Sequence, residues 1–305
     1  MYNIKKIYIF VILIFLALGP CGQTNAENNH TFTLGPVFGF LYGQAEEIVY
    51  RFPGNDEHLS LLLWDLKPLF YAGLIADFRP INLFRDSGNI SSLSFKIGIP
   101  ARSGIMENMD WLGTENSITH YSRHNVYTDR AIHADFSFGR SWPLNNFFAF
   151  AVLGELSYKH YHWVAKDGYG IYPFGERLFT GPVIEYTQNW FVLAPGISLS
   201  AGLGRFFLFE AGLNYAPGLF SATRDLHIER NTVFQDYVWK GHYFKAGANL
   251  VFTPDPSVSL SLFFNYIYTT EIRGNTYVNN TLYRDLGGAR YSAMDTGLLF
   301  TFSMN

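Results

Sequence analysis

Residues 258–270 read VSLSLFFNYIYTT. Val258, Leu260, Leu262, Phe264, Tyr266 and Tyr268 share one parity. Ser259, Ser261, Asn265 and Thr269 share the other, with Phe263 and Ile267 as exceptions. Successive side chains of a strand point to opposite faces, so this stretch meets an apolar solvent on one face and a polar one on the other. The pattern recurs. In RAIHADFSFGRSW (130–142) Ile132, Ala134, Phe136 and Phe138 oppose His133, Asp135, Ser137 and Gly139. In SSLSFKIGIPAR (91–102) Leu93, Phe95, Ile97 and Ile99 oppose Ser94, Lys96, Gly98 and Arg102. A soluble sandwich also alternates, but with fewer aromatics on an exposed face. Lipid outside and a polar lumen inside account for both faces.

Composition agrees. Aromatic residues make up 18% of the 305 residues and charged residues 15%, against about 25% charged in a typical soluble protein. The opening MYNIKKIYIFVILIFLALGPCGQTNA has Lys5 and Lys6, then an apolar run from Ile7 to Leu18, then small and polar residues. That is the pattern of a secretory signal, with cleavage after Ala26 and Thr24 at the −3 position. Cys21 offers a second reading, cleavage before a lipid-modified cysteine, although Pro20 precedes it. The run is too short for a span of about 20 residues. An exported, aromatic-rich chain with no later apolar run of that length is expected to be all-β, a transmembrane β-barrel of the outer membrane.

The opening holds two of the 22 basic residues and no acid, which leaves 20 basic against 25 acidic. That balance excludes bulk nucleic-acid binding. Cys21 is the only cysteine, so neither an intrachain disulfide nor a multi-thiolate metal site is possible. The nine histidines show no repeated metal spacing, although His160 and His162 share a face. No metal and no cofactor are expected.

Residues 27–305 read as one domain of ten antiparallel strands, near 31–51, 58–80, 91–107, 127–142, 146–168, 176–202, 205–227, 237–252, 258–273 and 287–303. Short turns (PLNN, GLGR, TPDPS) alternate with longer polar stretches such as GNTYVNNTLYRDLGG, the outer-membrane pattern. A bilayer takes about 9–11 tilted residues per strand. Several segments run well beyond that, so the barrel is expected to project on the loop side.

Parity places candidate site residues in the projecting part. The inward set of the third segment is even (Ser94, Lys96, Gly98), which carries Asn108 and Asp110 of ENMDW inward. In the first segment Phe32, Leu34, Phe38, Phe40 and Tyr42 face out, so Glu47 faces in with Gly39 and Gly43. Asp225 and His227 of ATRDLHIE share a face, and a carboxylate beside an imidazole fixes its tautomer. They also share the odd parity of Phe207, Phe209, Leu213 and Tyr215, which should face lipid. A bulge at Pro217-Gly218 would turn them inward. An Asp-x-His pair on a rim also fits a plain solvated edge. Ser122 and His124 of HYSRHN form a second nucleophile-and-base arrangement, but residues so close in a loop rarely make a working dyad.

At these residues the chain resembles the omptin family of outer-membrane endopeptidases. The resemblance runs through LYGQAEEIVY, MDWLG, HYSRHN, PFGERLF, RDLH, TPDPSVSLSLFFNY and the closing MDTGLLFTF. Single pieces are weak, and their order along ten strands is specific. The resemblance implies a rim cleft in which an Asp-His couple faces two aspartates across an attacking water. Asp225 and His227 match the couple. The family's Asp-x-Asp-Trp reads Asn108-Met109-Asp110-Trp111 here, so one aspartate is replaced. Glu47 matches a glutamate at the bottom of a pocket for a basic side chain. The family acid two residues before the couple is Thr223, and the acid before Ser-Arg-His is His120. The lipopolysaccharide-binding run aligns with Leu156, Tyr158 and His160 and does not match, so dependence on that lipid is not expected.

The expected function is hydrolysis of polypeptides, near basic residues, at the cell exterior. The expected partners are polypeptide substrates, host or surface proteins among them, and outer-membrane lipid. A neutral Asn108 cannot take a proton or add negative charge, which supports an alternative: a catalytically reduced barrel serving as adhesin or binding surface, with Tyr277 and Tyr283 among its contacts. A passive pore is the weakest reading, because ten strands leave an interior that Glu210, Lys96 and Arg140 can largely fill.

Overall fold

The computed structural model describes residues 30–113 and 117–304. The expected signal, residues 1–26, lies outside the described residues. Fourteen strand segments follow one another: β1 (His30–Tyr50), β2 (His58–Pro80), β3 (Gly88–Gly98), β4 (Ala101–Asp110), β5 (His120–Pro143), β6 (Phe148–Tyr172), β7 (Gly175–Leu203), β8 (Phe207–Ala216), β9 (Leu219–His227), β10 (Thr232–Trp239), β11 (Tyr243–Asp255), β12 (Val258–Thr269), β13 (Ile272–Val278) and β14 (Thr281–Met304). Each pairs antiparallel with its neighbours, and β14 pairs back onto β1, which closes the ring. Four pairs of segments are collinear: β3 with β4, β8 with β9, β10 with β11 and β12 with β13. The ring therefore has the ten staves expected from the sequence.

The outward parity carries the membrane band. Phe38, Phe40, Tyr42, Phe95, Ile97, Leu262, Phe264, Leu298 and Phe300 are all exposed, which is stable only against hydrocarbon. Beyond the band the staves continue as barrel. HYSRHN lies within β5, not in a loop, and much of 274–288 is strand. The β13–β14 hairpin turns on Asn279 and Asn280, with φ of 46° and 70°, the left-handed conformation that asparagine tolerates in a tight hairpin. The expected long loops are thus largely two-stranded extensions of the wall.

The lumen has two storeys. At membrane level charges pair across staves: Lys96 with Asp295 at 2.7 Å, Lys245 with Glu155 at 2.6 Å, Arg79 with Glu210 at 3.2 Å. They border a cavity of about 380 Å³. Arg140, read from the sequence as a lumen residue, has the even parity of exposed Phe136 and Trp142 and lies outside. Above the cavity sits an aromatic plug. Trp64 and Trp163 stack on Tyr186 at 5.2 and 5.7 Å, and Tyr161 stacks on Trp163 and Tyr291. All five rings are fully buried. The plug lies beneath the inward-facing residues of the projecting end.

Two irregularities decide what faces that cleft. Along β3 and β4, a break at Ile99-Pro100 and a register shift between Arg102 and Gly104 cancel, so Met106, Asn108 and Asp110 keep the even inward parity. Along β8 and β9 there is one flip. Asn214 pairs with Gly196 on β7, but Leu219 pairs with Val192, a slip of one residue at Pro217-Gly218. In β8 the odd residues Phe209, Leu213 and Tyr215 face out, whereas in β9 Phe220 and Arg224 face out and Ser221, Thr223 and Asp225 are buried. The expected bulge is present where proline and glycine interrupt pairing.

Deleting Gly218 restores strict alternation. Ser221→Cys is expected to resist a maleimide in the intact chain and to react in the deletion variant, while both keep the heat-resistant gel mobility of a closed barrel. A cysteine that stays unreactive in the deletion variant would show that the bulge does not set the parity.

Candidate active site

One wall of the cleft is the β9–β10 hairpin. His227 Nε2 lies 2.7 Å from Asp225 Oδ2, and the Asp225 side chain is 1% exposed. Phe234, on β10, packs edge-on against the imidazole with centroids 5.4 Å apart. A carboxylate on Nε2 requires Nε2 to carry the proton, which leaves the Nδ1 lone pair as the basic site. Arg230, in the turn that joins the two strands, donates an Nη2 proton to that Nδ1.

The opposite wall is built by β2, β4 and β5. Ser60 Oγ donates to Asp110 Oδ1 at 2.6 Å and lies 3.4 Å from Asn108 Oδ1, so one hydroxyl bridges both residues of ENMDW. Thr119 Oγ1 donates to the Asp110 carbonyl, and Arg51 holds the carbonyls of Trp111 and Gly113. The ring of Tyr172, at the end of β6, packs against His120 at 5.4 Å. Both walls face inward at the same end of the barrel: Asn108 lies opposite Leu62, Leu62 lies opposite Glu47, and Gln188, which lies opposite Thr223, donates from Nε2 to the Glu46 carbonyl at 3.4 Å across the lumen.

The floor is acidic. Glu47 is 1% exposed, as is Asp236 on β10. Thr223 Oγ1 donates to Asp236 Oδ2 at 2.9 Å. Glu47 Oε2, Asp225 Oδ1, Asp236 Oδ1 and Ser221 Oγ are buried without hydrogen-bond partners. Among the described residues no Lys or Arg pairs with any of these three carboxylates. Burial, then the charges of Asp225 and Asp236, push Glu47 well above the usual carboxylate range. Burial, opposed by the Thr276 and Thr223 hydroxyls, pushes Asp236 up to about 7. Buried acceptors that lack partners are costly, and an incoming cation would satisfy them together.

Of the residues singled out in the sequence, Asp225 joins His227, Asn108 joins Asp110, and Glu47 is buried where the Asp225 charge acts on it. His124 is tied to the Asp167 carbonyl and packs on Phe179, so it is not a base for Ser122. Tyr158 and His160 both reach Asn189 on the outer face. Sequence reasoning missed Asp236, Ser60 and Arg230. The signal for Asp236 lay in the hairpin register: pairing His227 with Thr232 puts Asp236 directly opposite Thr223.

A closed, lipid-facing barrel with a titratable cleft above its membrane band is an integral β-barrel protein of the outer membrane. The chain belongs to the Omptin family, whose profile matches residues 28–302, a family of outer-membrane proteases. The fold is similar to that of the outer membrane protease OmpT of Escherichia coli, with 17% identity, a TM-score of 0.81, and coverage of 92% of this chain and 99% of that one. The outer membrane protein OprG of Pseudomonas aeruginosa aligns over 90% of this chain and 96% of its own at 8% identity, with a TM-score of 0.39. No curated protein matches by sequence.

The floor acids bear on stability. An acid whose folded pKa is raised binds more protons in the folded chain than in the unfolded one between the two pKa values. For Asp236 that window runs from the ordinary carboxylate range to about 7, and stability falls as pH rises through it. Asp236→Asn removes this loss. The variant's gain in urea midpoint over the parent, measured in detergent, is expected to be larger at pH 8 than at pH 5. An equal gain at both would contradict the assignment.

Proposed function

We propose that the chain is an endopeptidase of the outer membrane, its cleft facing the cell exterior, that cleaves beside basic residues through a water activated by the Asp225–His227 couple. The observation that carries this reading is that the couple and the Ser60-bridged Asn108–Asp110 pair face inward at the same end of the barrel, together with Glu47 and Asp236, which have no Lys or Arg partner among the described residues. His227 Nδ1 takes a proton from the water as general base, and Asp225 orients the ring and balances the imidazolium. Asp110, with one oxygen occupied by Ser60, has the other free to hold the water. Asn108 helps by hydrogen bonding alone. The water oxygen bonds to the scissile carbonyl carbon, the proton passes from His227 to the leaving amine, and the C–N bond breaks.

Glu47 and Asp236 supply the preference for Lys or Arg. Thr223 stands where the resemblance puts an acid, and Asp236 faces it from the next strand, so the negative charge is relocated and not lost. The neutral Asn108 favours a second reading, a barrel that binds polypeptides without cutting them.

Hydrolysis of a mixed peptide library by the refolded barrel separates the two. Wild type is expected to cut beside Lys or Arg, and His227→Ala to lose about 10²–10⁴-fold. Glu47→Gln with Asp236→Asn is expected to lose the basic preference by roughly 10–100-fold, the worth of one charged hydrogen bond. Silence from wild type with cleavage by Asn108→Asp would establish the binding reading instead.

A further inference from the structure

The cleft needs a group that stabilises the oxyanion, and one side chain is placed for it. Arg230 lies in the tight turn between β9 and β10, where Asn231 has a φ of 47° and its amide donates to the Ile228 carbonyl at 3.2 Å. The neighbouring acid, Glu229, is taken by Arg177 at 2.6 Å. Arg230 itself has no carboxylate partner among the described residues. Among the described residues the one hydrogen bond of its guanidinium is the N–H donated to His227 Nδ1; its carbonyl accepts from Thr232 Oγ1. A guanidinium is therefore held at the cleft mouth, beside the base nitrogen, with donors to spare and no anion of its own.

That contact is stable only while His227 is neutral. Nδ1 accepts from Arg230 through its lone pair. Once Nδ1 takes a proton from water, the lone pair is gone and two cations stand side by side. The same proton transfer creates the oxyanion: the water oxygen bonds to the carbonyl carbon, and the carbonyl π pair moves onto its oxygen. A charge-assisted N–H donor then leaves one partner as the other appears.

We propose that Arg230 is the oxyanion donor of this cleft and that it caps His227 Nδ1 while the cleft is empty. The assignment rests on the protease reading above. In the resting state the cap keeps bulk water off the base. When a peptide enters, Arg230 turns to the scissile carbonyl oxygen. It stays there as that oxygen becomes negative and lets go when the C–N bond breaks and the carbonyl re-forms. The leaving amine takes its proton from His227, and Nδ1 is again an acceptor for Arg230.

Arg230→Ala and Arg230→Lys decide it, with two readouts on refolded barrels of native gel mobility. The first is hydrolysis of a Lys- or Arg-containing peptide. Arg230→Ala is expected to lower kcat by about 10²–10³-fold with KM nearly unchanged. Lysine should restore part of the loss, and so should added guanidinium ion. The second is binding of a phosphinic peptide, a stable tetrahedral anion, against a neutral ketomethylene peptide of the same sequence. Wild type should prefer the phosphinic peptide and Arg230→Ala should lose that preference, leaving the ketomethylene affinity as it was. Arg230→Ala hydrolysing as fast as wild type or faster overturns the proposal. So does a wild-type cleft that binds both peptides alike. If wild type hydrolyses nothing yet shows an Arg230-dependent phosphinic preference, the anion site stands and the protease reading falls.

Discussion

A backbone inside hydrocarbon must satisfy every N–H and C=O within the protein, and a strand can do so only in a closed ring. Everything else in this molecule depends on that closure. The pairing of β14 with β1 fixes the register of all ten staves, and register decides which side chain meets lipid, lumen or cleft. A slip of one residue exchanges the two faces of a strand. The geometry of the cleft is therefore a property of the hydrogen-bond ladder. Asp225 and His227 face inward because one slip is tolerated at Pro217-Gly218. Asn108 and Asp110 do so because two slips cancel.

The same ring encloses two electrostatic regimes. At membrane level the buried charges are matched in pairs, and such pairs fix a wall without inviting a ligand. Above the plug the balance is broken: Glu47 and Asp236 are buried with no Lys or Arg partner among the described residues, Asp225 is paired only with His227, and the Arg230 guanidinium rests on the imidazole. Unmatched buried charge is expensive, and a fold keeps it where binding repays the cost. The contrast separates the paired charges of the lower storey from the unmatched ones above without reference to their sequence positions.

Alternation made most of the fold legible, because period two in the sequence is period two in space. Ten staves and the barrel class followed from the aromatic parity of stretches such as 258–270. The couple and the ENMDW pair were legible as spacings within single strands, and Glu47 by parity. Asp236 and Ser60 were not, since each meets its partner across a strand pair and nothing in a linear spacing reports register. Arg230 was hidden for a different reason: a turn residue has no parity. Arg140 was misplaced although its even number already set it with Phe136 and Trp142. The 274–288 stretch looked like a polar loop because both faces of a hairpin that stands above the bilayer are wetted.

The aromatic plug has a further consequence. Trp64, Trp163 and Tyr186 lie buried and stacked between the paired lumen and the acidic residues above it. Close-packed flat rings resist compression, so the barrel wall at that level is braced from within. The side chains of the upper storey are carried on a stiff support and not on a flexible tube.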